Sequence, residues 1–245
     1  MLFHCQREMR TGGHCGLGPR VVSISMAGMK TDRLEVAEIF RSIQGEGSWA
    51  GLPCVFIRLA GCNLRCRWCD TPYALERGQS VSSSDLVARV EKLGRGLVEI
   101  TGGEPLLQPS AIPLMKRLLA MGRTVLLETS GALPIGQVPP GVHRIMDLKA
   151  PGSGECAQNL WQNLEHLTPR DELKIVMADR KDYVWAREVV LERGLDRLCH
   201  AVLFSPAAGL LAADELSAWI LEDELPVRLN LQLHRIIWPE RDRGV

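Results

Sequence analysis

The sequence carries no surplus of either charge. Its 29 Lys and Arg are matched by 29 Asp and Glu, for a formal net charge of zero, which leaves no long-range pull towards nucleic acid or an anionic membrane. No apolar run approaches the ~20 residues needed to cross a bilayer. The stretch most like a leader, Val21–Met29 after Arg20, is short, contains Ser23, Ser25 and Gly28, and has few large aliphatics, so it does not read as an export signal. No internal repeat is evident and no linker divides the body. What remains is an ordinary globular composition, 46% hydrophobic and 24% charged over 245 residues, enough for one large domain with a sizeable core. The expectation is a soluble cytoplasmic protein with neither a membrane nor a direct nucleic-acid partner.

Eight cysteines are present: Cys5, Cys15, Cys54, Cys62, Cys66, Cys69, Cys156 and Cys199. A disulfide scaffold belongs to short secreted chains with small cores, which this chain is not. Three of the eight fall together between positions 62 and 69, a clustering that points to metal ligation in a reducing compartment. Residues 1 to about 32 show no sustained period and contain Gly12, Gly13, Gly16, Gly18 and Pro19. They read as a disordered extension, with Met26 or Met29 as alternative starts and 33–245 as the single folded domain. His4, Cys5, His14 and Cys15 in that glycine-rich stretch do not make a convincing zinc site.

From Leu34 onward, short β-rich runs alternate with amphipathic segments. The predicted strands are Leu34–Phe40, Cys54–Leu59, Leu97–Ile100, Thr124–Leu127, His143–Asp147, Leu173–Met177, Ala201–Phe204 and Val227–Leu231. One predicted helix opens on Ser84 as N-cap and puts Leu86, Val87, Val90 and Leu93 on one face. Others are Ile112–Met121, Asp182–Arg193 and Ala212–Glu222, with Gly122 and Gly194 as C-caps. This alternation predicts an α/β domain built on a parallel sheet, closed as a barrel or open and doubly wound.

The chemistry-bearing segments follow the strands: GCNLRCRWCDT, TGGEP, ETSG, DLKAPGSG and SPA. In parallel α/β architectures the ligand site forms at the carboxyl ends of strands, so these five loops should converge on one face. The first has the spacing C-x3-C-x2-C. Three thiolates on one tight loop can hold three corners of a four-iron cubane, leaving the fourth iron open to another ligand. Zinc is the competing metal, but structural zinc closes four ligands, and Cys54, the spare thiol, sits mid-strand where a buried apolar role is expected.

C-x3-C-x2-C with Trp68 before the last cysteine resembles the radical S-adenosylmethionine superfamily. The resemblance implies a [4Fe–4S] cluster on Cys62, Cys66 and Cys69. It also implies that the open iron is chelated by the cofactor's methionine, whose sulfonium is cleaved on one-electron reduction to a 5′-deoxyadenosyl radical. TGGEP resembles the superfamily's glycine–glycine–glutamate motif, in which Gly102 and Gly103 permit close backbone approach and Glu104 accepts from the methionine ammonium.

From Leu34 to the C-terminus the likeness is narrower. EIFRSIQGEGSWAGLPCVFIRLAGCNLRCRWCDTPYA, TGGEPLLQ, ETSG, DLKAPGSGE, ELKIV and QLHRIIW resemble, in order, the 7-carboxy-7-deazaguanine synthase family of the queuosine precursor pathway. That family implies an incomplete (β/α)6-type radical barrel, a homodimer, a flavodoxin or ferredoxin electron donor and a magnesium ion. It also implies ring contraction of 6-carboxy-5,6,7,8-tetrahydropterin to 7-carboxy-7-deazaguanine with loss of ammonia. By the same resemblance Ile43, Gln44, Gly45 and Glu46 form the substrate loop, Arg58 pairs with the substrate carboxylate, and Thr101 touches substrate. Thr71 ligates magnesium. Trp68, Gly103, Glu104, Asp147, Leu148, Lys149, Ser205, Pro206 and Ala207 contact the cofactor, and Gln232, His234 and Pro239 close the pocket. Ser130 stands where Asn is commoner and Arg235 where Lys is usual. A glycyl-radical-activating enzyme, acting on a protein, and a non-catalytic metal module are the competing readings. In the first test, Ala at Cys62, Cys66 or Cys69 should abolish the four-iron spectrum of anaerobically reconstituted protein, whereas Ala at Cys156 or Cys199 should leave it intact.

Overall fold

The computed structural model describes residues 32–245, so the expected extension over 1–32 lies outside the described residues apart from its last position. Nine strands make one mixed sheet: β1 (Arg33–Ile43), β2 (Pro53–Leu59), β3 (Gln79–Ser82), β4 (Leu97–Gly102), β5 (Thr124–Thr129), β6 (His143–Asp147), β7 (Glu172–Met177), β8 (Ala201–Pro206) and β9 (Arg228–Leu229). Their spatial order is β3-β1-β2-β4-β5-β6-β7-β8-β9. All pairs from β2 to β9 are parallel, while β1 runs antiparallel to both β2 and β3. Sequential parallel strands that stay neighbours and do not close on themselves form the incomplete barrel expected. Among the described residues no helix is long and apolar enough to cross a membrane.

Four helices cover the outer face: α1 (Ser83–Leu93), α2 (Ala111–Ala120), α3 (Arg180–Arg193) and α4 (Ala213–Glu222); a short α5 (Leu233–Ile237) follows β9. The N-cap of α1 is Ser82 rather than Ser84: its hydroxyl accepts from the Asp85 N–H at 3.1 Å and donates to the Asp85 carboxylate at 2.7 Å. A serine capping the third helical residue satisfies an orphan N–H, and here the run of serines hides which one does so. Gly122 and Gly194 take positive φ after α2 and α3, as their placement implies. β3, with the run QSVS, was not legible, because it is short, polar and pairs only with β1. The crossovers β5–β6 and β6–β7 carry no α-helix, only loops and 3-10 turns.

Alternation along the strands sorts side chains between two faces. Val55, Ile57 and Leu59 of β2, Val98 and Ile100 of β4, Val125 and Leu127 of β5, and Leu173, Ile175 and Met177 of β7 join the main core. Leu86 and Val90 of α1, Leu114 and Leu118 of α2, and Ala186 and Val190 of α3 belong to the same cluster. On the other face Cys54, Phe56, Leu97, Leu126 and Ile145 make a small apolar floor, with Phe40 and Trp49 packed against it. Cys54 is thus a core residue, 1% exposed, as expected.

A buried ion pair staples the two helix-poor crossovers. Arg144 of β6 donates to both oxygens of Asp171, at 2.9 and 2.5 Å, and Asp171 is fully buried. Asp171 also accepts from the Thr168 N–H and hydroxyl. Asp171→Ala should cost about 3–5 kcal/mol in urea unfolding, because it strands a buried guanidinium. Asp171→Asn, which keeps the shape, should cost less.

Candidate active site

The interior face of the strands becomes polar towards their carboxyl ends. In register across the sheet, Phe56 and Arg58 of β2 face Glu99 and Thr101 of β4, Glu128 of β5 faces Ile145 of β6, and Asp147 of β6 faces Lys174 of β7. Together with the post-strand loops they line a cavity of about 400 Å³, within the usual range for a small-molecule site.

One wall is the cysteine loop. Cys62, Cys66 and Cys69 all line the cavity, with Trp68 and Thr71 beside them, and none of the six described cysteines is in a disulfide. Burial pushes the Cys62 thiol up and the Cys66 thiol up to about 11, with the Lys149 ammonium pulling the other way. The loop lies against the end of β4 so tightly that only glycine fits there. A Cβ on Gly102, whose φ is +146°, would lie 2.1 Å from the Leu59 oxygen, and one on Gly103 would lie 2.2 Å from the Gly61 oxygen. The Gly103 N–H donates to Leu59 C=O at 3.0 Å and the Glu104 N–H to Gly61 C=O at 2.8 Å. The close approach expected at these glycines is therefore to the end of β2 and the start of the cysteine loop.

Glu104 is bound up with the loop after β5. Its carboxylate is fully buried and accepts from the Thr129 hydroxyl (2.9 Å), the Ser130 N–H (2.7 Å), the Ser130 hydroxyl (2.5 Å) and the Leu106 N–H (2.9 Å). It does not line the cavity; Gly102, Gly103, Thr129 and Ser130 do. With these donors from its own chain the carboxylate braces the loop. Ser130, where Asn is commoner, is one of its donors, so the substitution is accommodated.

The opposite wall is a charge network around Lys174, which is buried and pairs with Glu46 at 3.1 Å, with Glu128, and with Asp147 at 3.7 Å. Burial disfavours the Lys174 charge, but Asp147, Glu128 and Glu46 outweigh it and raise its pKa well above the ordinary value. Burial alone pushes Glu128 up, yet the Lys174 ammonium outweighs burial and brings this carboxyl down to about 2. Glu99, buried beside them and hydrogen-bonded to the Gln44 amide, is pushed up by burial and by the Glu128 charge. Two neighbouring carboxyls with pKa values driven apart are a recurrent feature of acid–base sites. Lys149 pairs with Asp147 Oδ2 at 2.5 Å. Asp147 Oδ1 is buried 3.7 Å from the Lys174 ammonium and has no hydrogen-bond partner, so this wall retains an acceptor for a ligand.

The substrate loop expected at Ile43–Glu46 lines the cavity throughout. Gln44 Oε1 accepts the Glu46 N–H at 2.9 Å, and Glu46 is further held by Asn230 Nδ2 (3.2 Å) and Gln232 Nε2 (3.1 Å). Arg58 and Thr101 line the cavity too; Arg58 Nε pairs with Glu38 at 2.9 Å, and Thr101 donates to Glu128 at 3.1 Å. His234 packs on Gly45, where a Cβ would meet its Nδ1 at 2.5 Å, and burial lowers its pKa. Asp147, Leu148, Lys149 and Ala207 are on the wall. Besides Glu104, three expected residues are not. Ser205 is buried with its hydroxyl accepting from Asn230 at 2.9 Å, Pro206 ends β8, and Pro239 is exposed; Arg241, Asp242 and Val245 line the cavity from that terminal stretch.

Lys174, Glu128, Glu99 and Asn230 had been assigned no role from the sequence. The overlooked signal is a charge inside an apolar central strand, as in LVEIT, VLLET and ELKIV, on the face opposite the helices. Glu128 releases its proton more readily folded than unfolded, so the stabilisation from Lys174 is complete above the ordinary Glu value of 4.5 and is lost as pH falls towards 2. In Lys174→Met the strongest opposition to burial is removed, and only Arg58 and Thr101 still favour the Glu128 charge. Stability of this variant relative to the parent should therefore decline as pH rises from about 2 through the ordinary Glu value of 4.5 in urea unfolding; a constant difference would contradict the network.

Comparison with known proteins bears on what the cavity serves. Residues 56–149 match the model of the Radical SAM superfamily. The chain is 46% identical to the 7-carboxy-7-deazaguanine synthase of Koribacter versatilis, over 86% of this chain and 100% of that protein. It is also 46% identical to the synthase of Chlorobaculum tepidum, over 86% of this chain and 97% of that protein. The crystal structure of QueE from Escherichia coli superposes with a TM-score of 0.68 at 26% identity, covering 82% of this chain and 94% of that one. Full-length agreement with synthases favours neither a protein-activating enzyme nor a non-catalytic metal module. The chain belongs to the 7-carboxy-7-deazaguanine synthase family of radical S-adenosylmethionine enzymes.

Proposed function

We propose that the chain converts 6-carboxy-5,6,7,8-tetrahydropterin to 7-carboxy-7-deazaguanine with loss of ammonia, as a radical lyase using a [4Fe–4S] cluster and S-adenosylmethionine. The observation that carries this reading is one cavity with two unlike walls: three cysteines of a C-x3-C-x2-C loop face a wall of paired carboxylates and cations. The donor set fits both groups. Three thiols on one loop suit three irons, and Asp147 Oδ1, 3.7 Å from the Lys174 ammonium but without a hydrogen bond, suits a cofactor donor. When bound, cluster and cofactor supply the one-electron chemistry that produces a hydrogen-abstracting carbon radical.

The chain's part is binding, orientation and exclusion of water. Cys62, Cys66 and Cys69 hold the cluster. Trp68, Gly103, Asp147, Leu148, Lys149 and Ala207 hold the cofactor; Glu104, Ser205 and Pro206 act behind them by fixing the loops. Glu46 reads the donor edge of the pterin, and its orientation is set by Lys174, Asn230 and Gln232. Arg58, with one of its five N–H donors given to Glu38, meets the substrate carboxylate. Thr71 is the protein oxygen for magnesium, with Asp70 next to it on the cavity wall; magnesium keeps most of its other positions for water and substrate oxygens. His234 closes the pocket over Gly45, while Pro239, exposed and off the wall, has no direct contact. In this reading the chain works as a cytoplasmic homodimer reduced by a flavodoxin or ferredoxin, which rests on family likeness alone.

Anaerobic turnover of the pterin, with ring-contracted product followed by mass spectrometry, tests the reading; a reducible cluster without product from this substrate would refute it. Arg58→Ala should lose ~2–5 kcal/mol of binding or transition-state stabilisation with unchanged iron content, and Thr71→Ala should weaken the magnesium dependence.

A further inference from the structure

The cysteine loop has little backbone support of its own. Within it, the Cys69 N–H donates to Cys66 C=O at 3.3 Å, and the chain then has to be held from outside. The Arg65 N–H donates to Glu155 Oε1 at 2.7 Å, and the Arg67 N–H donates to Ser153 C=O at 3.0 Å. These are the residues on either side of Cys66. Both acceptors come from the segment after β6, which also supplies Leu148 and Lys149 to the cavity wall.

That segment is built as a clamp. Glu155 is only 4% exposed. The Ser153 hydroxyl accepts the Glu155 N–H at 3.1 Å and donates to Ala150 C=O at 2.6 Å. Asp182, in the first turn of α3 and 1% exposed, accepts the Gly152 N–H at 2.7 Å and the Ala178 N–H at 3.1 Å. A Cβ on Gly152 would lie 2.5 Å from Asp182 Oδ2, so the contact needs glycine. The loop around Cys66 is thereby tied, through two short relays, to the rigid start of α3.

We propose that Glu155 is a positioning residue for the iron–sulfur centre, its carboxylate fixing the backbone beside Cys66 so that the three thiols keep the spacing of a cluster. The proposal rests on the reading of Cys62, Cys66 and Cys69 as cluster ligands. A carboxylate accepting an N–H makes a stronger bond than a neutral acceptor, and ligand loops hold a metal only as well as their supporting contacts hold them. The same carboxylate places negative charge next to the ligand loop, which disfavours adding an electron.

The test compares wild type, Glu155→Ala, Glu155→Gln and Ser153→Ala, each reconstituted anaerobically with iron and sulfide and without cofactor or substrate. Iron per chain, the rate of loss of cluster absorbance in air, the midpoint potential, and circular dichroism of the iron-free protein are measured. Glu155→Ala should fold yet lose its cluster about tenfold faster, the equivalent of one charge-assisted hydrogen bond. Glu155→Gln, which keeps an acceptor for Arg65, should retain the cluster near the wild-type rate and shift the potential upward. Ser153→Ala, which leaves the Glu155 carboxylate in place but removes its brace, should fall between. Wild-type retention in Glu155→Ala overturns the proposal, as does a Glu155→Gln protein as labile as Glu155→Ala or unshifted in potential. If Glu155→Ala does not fold, wild-type retention in Ser153→Ala overturns it. A wild-type protein that takes up no iron overturns the ligand reading itself, and this inference with it.

Discussion

Lys174 brings one ammonium to three carboxylates that belong to three separate parts of the chain: Glu46 in the loop after β1, Glu128 on β5 and Asp147 on β6. Buried carboxylates repel one another and lose hydration, so such a wall exists only where a cation of comparable burial offsets them. The remaining polar contacts of the cavity follow from that pairing. Glu46, fixed by Lys174, is also reached by Asn230 and Gln232, which draws the chain after β9 over the site. Asp147, shared between Lys174 and Lys149, extends the network towards Cys66, which feels the Lys149 charge.

The cysteine loop answers a different constraint, that of steric approach. Its backbone packs on the end of β4 where no side chain fits, so Gly102 and Gly103 are required by the Leu59 and Gly61 carbonyls. Glu104 then secures that arrangement by gathering Thr129, Ser130 and Leu106 around a buried carboxylate. The acidic residue of the motif thus forms a brace between the ends of β4 and β5. The electrostatic wall and the steric wall meet at the cavity, one supplying charges that can orient a polar substrate and the other holding the metal-binding loop still.

Relatives that share 46% of their residues across nearly their whole length carry the same family name. In this chain Ser130 donates its hydroxyl to Glu104. Arg235, exposed on α5, borders the cavity and retains the positive charge of the usual lysine.

Strand–helix alternation, the convergence of the post-strand loops, the cysteine triad and the family resemblance are all legible in the residues alone. These are local signals: periodicity, capping residues and spacing within a single loop. Edges blurred where local cues were redundant, as with Ser82 and Ser84 at the start of α1, or weak, as in the polar edge strand β3. Only tertiary structure decided which charges meet. Nothing within ELKIV says that Lys174 will reach Glu46, 128 positions away, and nothing within TGGEP says that Glu104 turns from the cavity to Thr129 and Ser130. Such pairings depend on strand register and on parallel neighbours that the chain supplies far apart. Their energies arise from burial, which a residue acquires only when the rest of the fold has closed around it.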